Sequence, residues 1–320
     1  MLRLLITGGL GFIGSNFIRY ILNKYPTYHI TNLDKLTYAG NPDNLKDIEN
    51  NPNYTFQFGD VCIVEEVMMD YNESFDWIIN FAADTHVDRS IENSYPFTKT
   101  NYLGTQKLLD YAKKINAKFF QISTDEIYGD LLPGQFANEN FPLFPSSPYS
   151  SSKAAADLLI QAYHRTFSIN YIISRSSNNF GPYQYPEKLI PLAITNLIRA
   201  KKIPVYGDGL QIRDWLYVEE NCKALDLLLH KGRLNQIYNI GSGNQLTNLD
   251  LISMILKIMK IGKNKIEFVK DRLGHDRRYA LNCDKIRGLG FNIKYDLERY
   301  LEQTIQWYKD NKDWWEKLIK

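Results

Sequence analysis

Short apolar runs alternate with amphipathic stretches through the first half of the chain, and their spacing sets the fold class. Leu2–Thr7, His29–Asp34, Tyr54–Gly59, Trp77–Ala82, Lys118–Ser123 and Asn170–Ser174 read as buried strands. Helical patterns lie between several of them, at Phe12–Lys24, Val64–Tyr71, Thr100–Ile115 and Pro148–Phe167. Strand–helix alternation of this kind predicts an α/β fold, a doubly wound parallel sheet covered on both faces. Ligands in such sheets bind beyond the C-terminal strand ends, near the switch in strand order.

From about Ser176 the texture changes. Asn178–Pro186 is turn-rich and aromatic and is expected to be an ordered binding loop. Leu189–Ala200 reads as a helix, and Leu216–Lys231 as a strand-to-helix unit that returns to the main sheet. Asn248–Lys260 and Leu297–Trp307 are further amphipathic helices. The expected division is a nucleotide-binding domain of residues 1–177 and 216–239, with a smaller discontinuous α/β domain of residues 178–215 and 240–320. The aromatic C-terminal stretch, with Trp307, Trp314 and Trp315, is expected to pack within the molecule.

Composition mostly removes possibilities. A net charge of +2 gives no reason to invoke nucleic acid or an anionic membrane. No apolar run approaches the roughly 18–20 residues that span a bilayer. The N-terminus lacks the pattern of a signal peptide. Cys62, Cys222 and Cys283 are too few and too scattered for a disulfide framework or a zinc site, which points to the cytoplasm. The five histidines are also dispersed, so no metal is expected.

Gly8, Gly11 and Gly14 form G-x-x-G-x-x-G between the first strand and the first helix. A diphosphate approaches backbone only where side chains are absent, and the helix start supplies N–H donors and partial positive charge. Asp34 ends the next strand, placed to accept from an adenosine ribose and to repel a 2′-phosphate, which favours NAD over NADP. Lys35 tempers that preference. Asp60, after the third strand, is read either as an adenine contact or as a loop cap. Ala82 and Ala83 leave room for a cofactor at the end of the fourth strand.

The densest chemistry follows. Ser123-Thr124-Asp125-Glu126 ends the fifth strand, and Tyr149 and Lys153 stand four apart on a helix begun by Pro148, so both face one way. A tyrosine of ordinary pKa near 10 is a poor base at neutral pH. A neighbouring ammonium and an oxidised nicotinamide are expected to favour its phenolate. Two adjacent carboxyls in a dry pocket push one pKa upward, so that one can hold a proton while the other takes one. For both to reach one substrate, the chain must leave extended geometry at Thr124.

G-x-x-G-x-x-G with Tyr149-x-x-x-Lys153 resembles the extended short-chain dehydrogenase/reductases, with their Rossmann-type sheet. Thr124-Asp125-Glu126 narrows the resemblance to the nucleotide-sugar 4,6-dehydratases, especially those acting on dTDP-glucose. The likeness covers nearly the whole chain, including 34–41, His86–Ser90, Asn178–Pro182, 186–191, Arg213–Val218 and 271–278. It implies NAD as cofactor and a nucleoside-diphosphate glucose as substrate. The implied reaction is oxidation at C4, loss of water across C5 and C6, and reduction at C6. Tyr149 and Thr124 would act on the C4 hydroxyl, with Lys153 supporting Tyr149. Glu126 would take the C5 proton, and Asp125 would protonate the departing C6 hydroxyl.

By the same resemblance Phe12, Ile13, Lys35, Thr37, Val61, Thr100 and Asn179 join the cofactor site, together with Tyr149 and Lys153. His86, Thr124, Asn178, Lys188, Leu189, Arg213, Asn248, Arg272 and His275 are implied for the substrate. The family's helix-bundle homodimer implies the same use of the Thr100–Ile115 and Pro148–Phe167 helices here. Where the family often has Glu-Ser this chain has Asp84-Thr85, a conservative change. Three other readings stay open: UDP-glucose as substrate, a 4-epimerase, and a non-catalytic NAD-binding scaffold.

Overall fold

The computed structural model describes residues 1–69, 74–293 and 296–319. Its strands are β1 (Arg3–Thr7), β2 (His29–Asp34), β3 (Tyr54–Phe58), β4 (Trp77–Asn80), β5 (Lys118–Thr124) and β6 (Tyr171–Ser176). They continue as β7 (Asn178–Phe180), β8 (Ile203–Tyr206), β9 (Ile212–Tyr217), β10 (Gln236–Ile240), β11 (Gln245–Thr247) and β12 (Ile266–Val269). Seven form one sheet in the order β10-β6-β5-β4-β1-β2-β3, with every pairing parallel. The order reverses between β1 and β4, and the Gly8–Gly14 turn leaves β1 there.

Alternating side chains of these strands enter different cores. Leu4 and Ile6 pack on one face with Ile79, Phe120 and Ile172, while Leu5 packs on the other with Ile78, Phe119 and Ile173. Burial on both faces is why the central strands read as apolar runs, whereas the edge strand β3 leaves Thr55, Phe56 and Phe58 exposed. A third apolar cluster, built on Phe180, Ile194, Trp215, Leu251, Ile255 and Tyr308, forms the core of the smaller lobe. The C-terminal aromatics belong to it: Trp314 Nε1 donates to Asn44 Oδ1 at 2.9 Å and Trp315 Nε1 to the Tyr308 carbonyl at 2.7 Å.

Four elements differ from expectation. The Asn178–Pro186 segment opens with β7, which joins β9 and β11 in a separate three-stranded sheet. The strand before helix Val218–Lys231 is therefore in the small sheet, and β10 makes the return to the main one beside β6. The buried polar residues of β9 explain its placement. Arg213 donates to the Asp276 carbonyl at 2.9 Å, and Asp214 accepts from Ser242 and Gly243, partners that only the small lobe supplies. The expected helix at Thr100 begins as a wider π-type coil over Thr98–Gly104 and becomes α-helical at Thr105. That coil carries Asn101, whose amide donates to the Asp84 carbonyl and to Ser152 Oγ. The helix expected over Val64–Tyr71 is α-helical at Val64–Val67, and its last two residues lie outside the described ones.

Candidate active site

Two adjoining cavities open at the C-terminal strand ends. The first is lined by Gly8, Gly11, Asp34, Lys35, Thr37, Val61, Ala82, Ala83 and Thr100, all expected there, together with Leu33, Ala39, Gly40, Gly59, Phe81 and Asp84. Its floor is backbone. Gly8 has φ +69°, and a Cβ on it would lie 2.6 Å from the Ala82 backbone; one on Gly14 would lie 2.6 Å from the Gly8 carbonyl oxygen. Helix Phe12–Lys24 starts here with no side-chain cap and no acidic residue in its first turn, so its end N–H groups and dipole face the cavity.

Asp34 is held at the rim by two backbone donors, Leu10 N at 3.0 Å and Leu36 N at 2.9 Å. Burial raises its pKa, and those two bonds oppose the rise. Lys35 is paired with Asp60 at 3.2 Å, which offsets the charge that could have welcomed a 2′-phosphate. Asp60 itself is set back from the wall. Its other oxygen accepts from Cys62 N at 2.9 Å, the bond of a loop cap. Gly14 and Lys153 also stand behind the walls, while Phe12, Ile13, Asn179 and Tyr149 border the second cavity.

That second cavity has a volume of about 430 Å³, within the usual range for small-ligand sites. It gathers all nine expected substrate residues: His86, Thr124, Asn178, Lys188, Leu189, Arg213, Asn248, Arg272 and His275. Asp125, Glu126 and Tyr149 share its wall. The geometric condition at Thr124 is met. β5 ends there, Thr124 Oγ1 caps a 3-10 turn over Asp125–Tyr128 by accepting from Glu126 N at 3.3 Å, and both carboxyls turn into one space.

Asp125 is 2% exposed, and its Oδ2 has no hydrogen-bond partner. Burial, then the neighbouring Glu126 charge, push its pKa well above the usual carboxylate range. Burial also raises Glu126, but Arg272, Lys188 and Arg213 pull it back. Lys188 is lowered by burial, with the Glu187 and Glu126 charges opposing, and its Nζ donates to the Thr85 carbonyl at 2.9 Å. Asn178 Oδ1, Asn248 Oδ1 and Arg272 Nε are buried without partners, three polar atoms waiting for a ligand.

Tyr149 and Lys153 are both deeply buried. Burial pushes the Tyr149 phenol well up, the Glu126 charge adds to this, and a Thr124 hydrogen bond only partly offsets them. Lys153 Nζ points to the Ile122 carbonyl at 2.7 Å, and burial lowers its pKa to about 8. The surrounding protein groups therefore disfavour the phenolate.

Several wall residues escaped the sequence reading. Tyr279 donates to Asp276 at 2.6 Å and lies under Arg213, whose Cζ is 4.1 Å from the ring centroid. Tyr206 donates to Asp88 at 3.1 Å, and Asp88 also faces Arg272 at 3.7 Å. Arg277, left out of the site, pairs with Asp208 on the surface. Arg278 is occupied by the Leu132 and Gln135 carbonyls.

A dinucleotide cradle, a Tyr149–Lys153 helix and a nucleotide-sized cavity on a doubly wound sheet define an extended short-chain dehydrogenase/reductase. The chain belongs to the GDP-mannose 4,6 dehydratase family, whose profile matches residues 5–304. Within it the similarity is to dTDP-glucose 4,6-dehydratases. The Streptomyces niveus enzyme is 46% identical, the alignment covering 99% of this chain and 96% of that one. The Bacillus anthracis enzyme, solved in complex with NAD, superposes with a TM-score of 0.92 at 46% identity over 99% of this chain and 100% of that one. The Streptomyces venezuelae enzyme, solved with NAD and TYD bound, gives 0.96 at 43% identity over 99% and 100%.

Proposed function

We propose that this protein is an NAD-dependent dTDP-glucose 4,6-dehydratase, a hydro-lyase converting dTDP-D-glucose to dTDP-4-keto-6-deoxy-D-glucose and water. The observation that carries this reading is the placement of Asp125 and Glu126 in the same cavity as Tyr149. An oxidation or an epimerisation at C4 needs the tyrosine alone; elimination across C5 and C6 needs an acid and a base as well.

Gly8, Gly11, the first turn at Phe12 and Ile13, Asp34, Thr37 and Ala82 are the residues that would hold NAD. When bound, it supplies reversible hydride transfer at C4 and C6 and a positive charge beside the phenol. Tyr149 receives the C4 hydroxyl proton, with Thr124 holding the same oxygen. The resulting ketone acidifies C5–H, and Glu126, biased toward ionisation by Arg272, Lys188 and Arg213, removes that proton. Asp125, kept protonated by burial and by Glu126, donates to the departing C6 hydroxyl. Arg213, Arg272, Lys188 and His275 provide the cationic surface for a diphosphate.

The two lobes divide at Ser177, with the boundary near Val218 because β9 belongs to the small sheet. Exposed Tyr95, Leu103, Leu158 and Phe167 on or beside the two long helices support a homodimer through those helices. Size-exclusion chromatography with light scattering giving only monomer would remove that claim. Three free cysteines support a reducing compartment, the cytoplasm. Among the described residues no helix is long and apolar enough to cross a membrane.

Product analysis tests the function. With dTDP-glucose the product is expected to be one water lighter and to carry a 4-ketone. UDP-glucose turned over faster would move the assignment to that substrate, and an unchanged mass with inversion at C4 would make the enzyme an epimerase.

A further inference from the structure

Glu187, just before helix Leu189–Ile198, joins three segments that border different parts of the site. Its Oε1 accepts from the Tyr38 hydroxyl at 2.9 Å, and its Oε2 accepts from the Arg89 guanidinium at 3.1 Å. His86 Nε2 stands 3.7 Å from the same Oε2. Arg89 also lies across the Tyr38 ring, its Cζ 3.9 Å from the centroid, and the Tyr185 ring meets Tyr38 edge-on at 5.3 Å. The carboxylate is mostly shielded, its side chain 12% exposed.

The placement of these residues matters more than their number. Tyr38 sits between Thr37 and Ala39, both on the wall of the dinucleotide cavity. Glu187 and His86 line the sugar-nucleotide cavity. Arg89 lies on the short helix Val87–Glu92 that follows Asp84 and Thr85, where the two cavities meet. The cluster therefore ties the loop over the cofactor to the lobe that holds the substrate. Two neighbouring ties, Lys188 to the Thr85 carbonyl and Tyr206 to Asp88, join the same segment to the same lobe but do not involve that loop.

We propose that Tyr38, Glu187 and Arg89 form a latch that holds the 35–40 loop closed over bound NAD and so governs how fast the cofactor leaves. The inference rests on the NAD reading above. Lys35, Thr37, Ala39 and Gly40 wall the dinucleotide cavity, so lifting this loop opens it, and lifting breaks a hydroxyl–carboxylate bond in a shielded setting. An enzyme that returns its cofactor to the starting state each cycle gains from retaining it. Glu187 is here a positioning residue and has no part in the bond-breaking chemistry.

The test is a release experiment on the purified holoenzyme, loaded with isotopically labelled NAD and chased with excess unlabelled NAD. Glu187→Ala is expected to lose label about tenfold faster than the wild type, the effect of one partly desolvated charge-assisted bond. Tyr38→Phe, a mild change on a 36% exposed ring, is expected to be several-fold faster. The double variant is expected to release no faster than Glu187→Ala, because both changes break the same tie. Added salt should speed release from the wild type by screening Arg89, and not from Glu187→Ala. Wild-type rates in both single variants, or fully multiplicative effects in the double, would overturn the latch. A wild type that takes up no NAD would instead overturn the cofactor reading itself, and the latch with it.

Discussion

The Lys153 ammonium donates to the Ile122 carbonyl at 2.7 Å, one helical turn from Tyr149 and two residues before Thr124. The helix that carries Tyr149 and the strand that leads to Asp125 are thereby pinned together. Lys153→Met removes both the pin and the charge. The expected result is a fall in kcat of about 10²–10⁴, the range for a group that supports general-base transfer. Steady-state turnover close to wild type would contradict it.

One residue, Asp157, tunes that lysine from behind. Asp157, one turn further along the helix, pairs with Arg175 at 3.0 Å, and their side chains are 0% and 2% exposed. Burial pulls Lys153 down to about 8, and the Asp157 charge opposes the fall. Lysine is charged below its pKa, so activity that needs the ammonium declines as pH rises through about 8. Removing Asp157 lowers that pKa further and moves the decline to lower pH. The double variant Asp157→Asn, Arg175→Met avoids stranding a buried guanidinium. A kcat–pH profile with the alkaline limb shifted downward is expected; an unmoved limb would refute the coupling.

Asp125 sits where a carboxylate is disfavoured, so the folded protein binds its proton more tightly than the unfolded chain does. Stability contributed by that group is present below the ordinary carboxylate pKa and declines as pH rises toward the raised value. Asp125→Asn keeps the shape and removes the penalty. Its melting temperature at neutral pH is expected to exceed that of the wild type, with the gap narrowing near pH 4. Dehydration should fall by at least about 10²-fold. Calorimetry showing a lower melting temperature at neutral pH would contradict the burial argument.

Gly8 serves backbone and ligand together. Its φ of +69° and the 2.6 Å approach to Ala82 leave no place for a methyl group. Gly8→Ala is expected to lose more than about 1 kcal/mol of stability, with NAD binding weakened in parallel. Titration of the variant with NAD at unchanged affinity would show that the cradle is not where the cofactor sits.

The parts of this architecture that could be read along the chain are those whose cause is local. The strands declare themselves because Leu4, Leu5 and Ile6 are all buried, on both faces of one sheet. Gly8–Gly14 and Tyr149–Lys153 fall within single turns of chain, so their spacing alone brings them together. What stayed hidden depends on distant segments. β9 looks like another main-sheet strand until Ser242 and Asp276 are seen to satisfy Asp214 and Arg213. Tyr279, Tyr206 and Asp88 reach the substrate cavity from segments far apart in sequence. The Tyr38–Glu187 bond spans 149 residues, and no local pattern announces it.

Glu126 is the group proposed to take the C5 proton. Wild-type enzyme and Glu126→Gln, each incubated with dTDP-glucose in deuterated water and followed by mass spectrometry and NMR, test it most directly. The wild type is expected to place one solvent deuterium at C5 of a dehydrated product. The variant is expected to reach the 4-keto stage without C5 exchange or loss of water. Deuterium entering C5 in Glu126→Gln as fast as in the wild type would contradict the assignment.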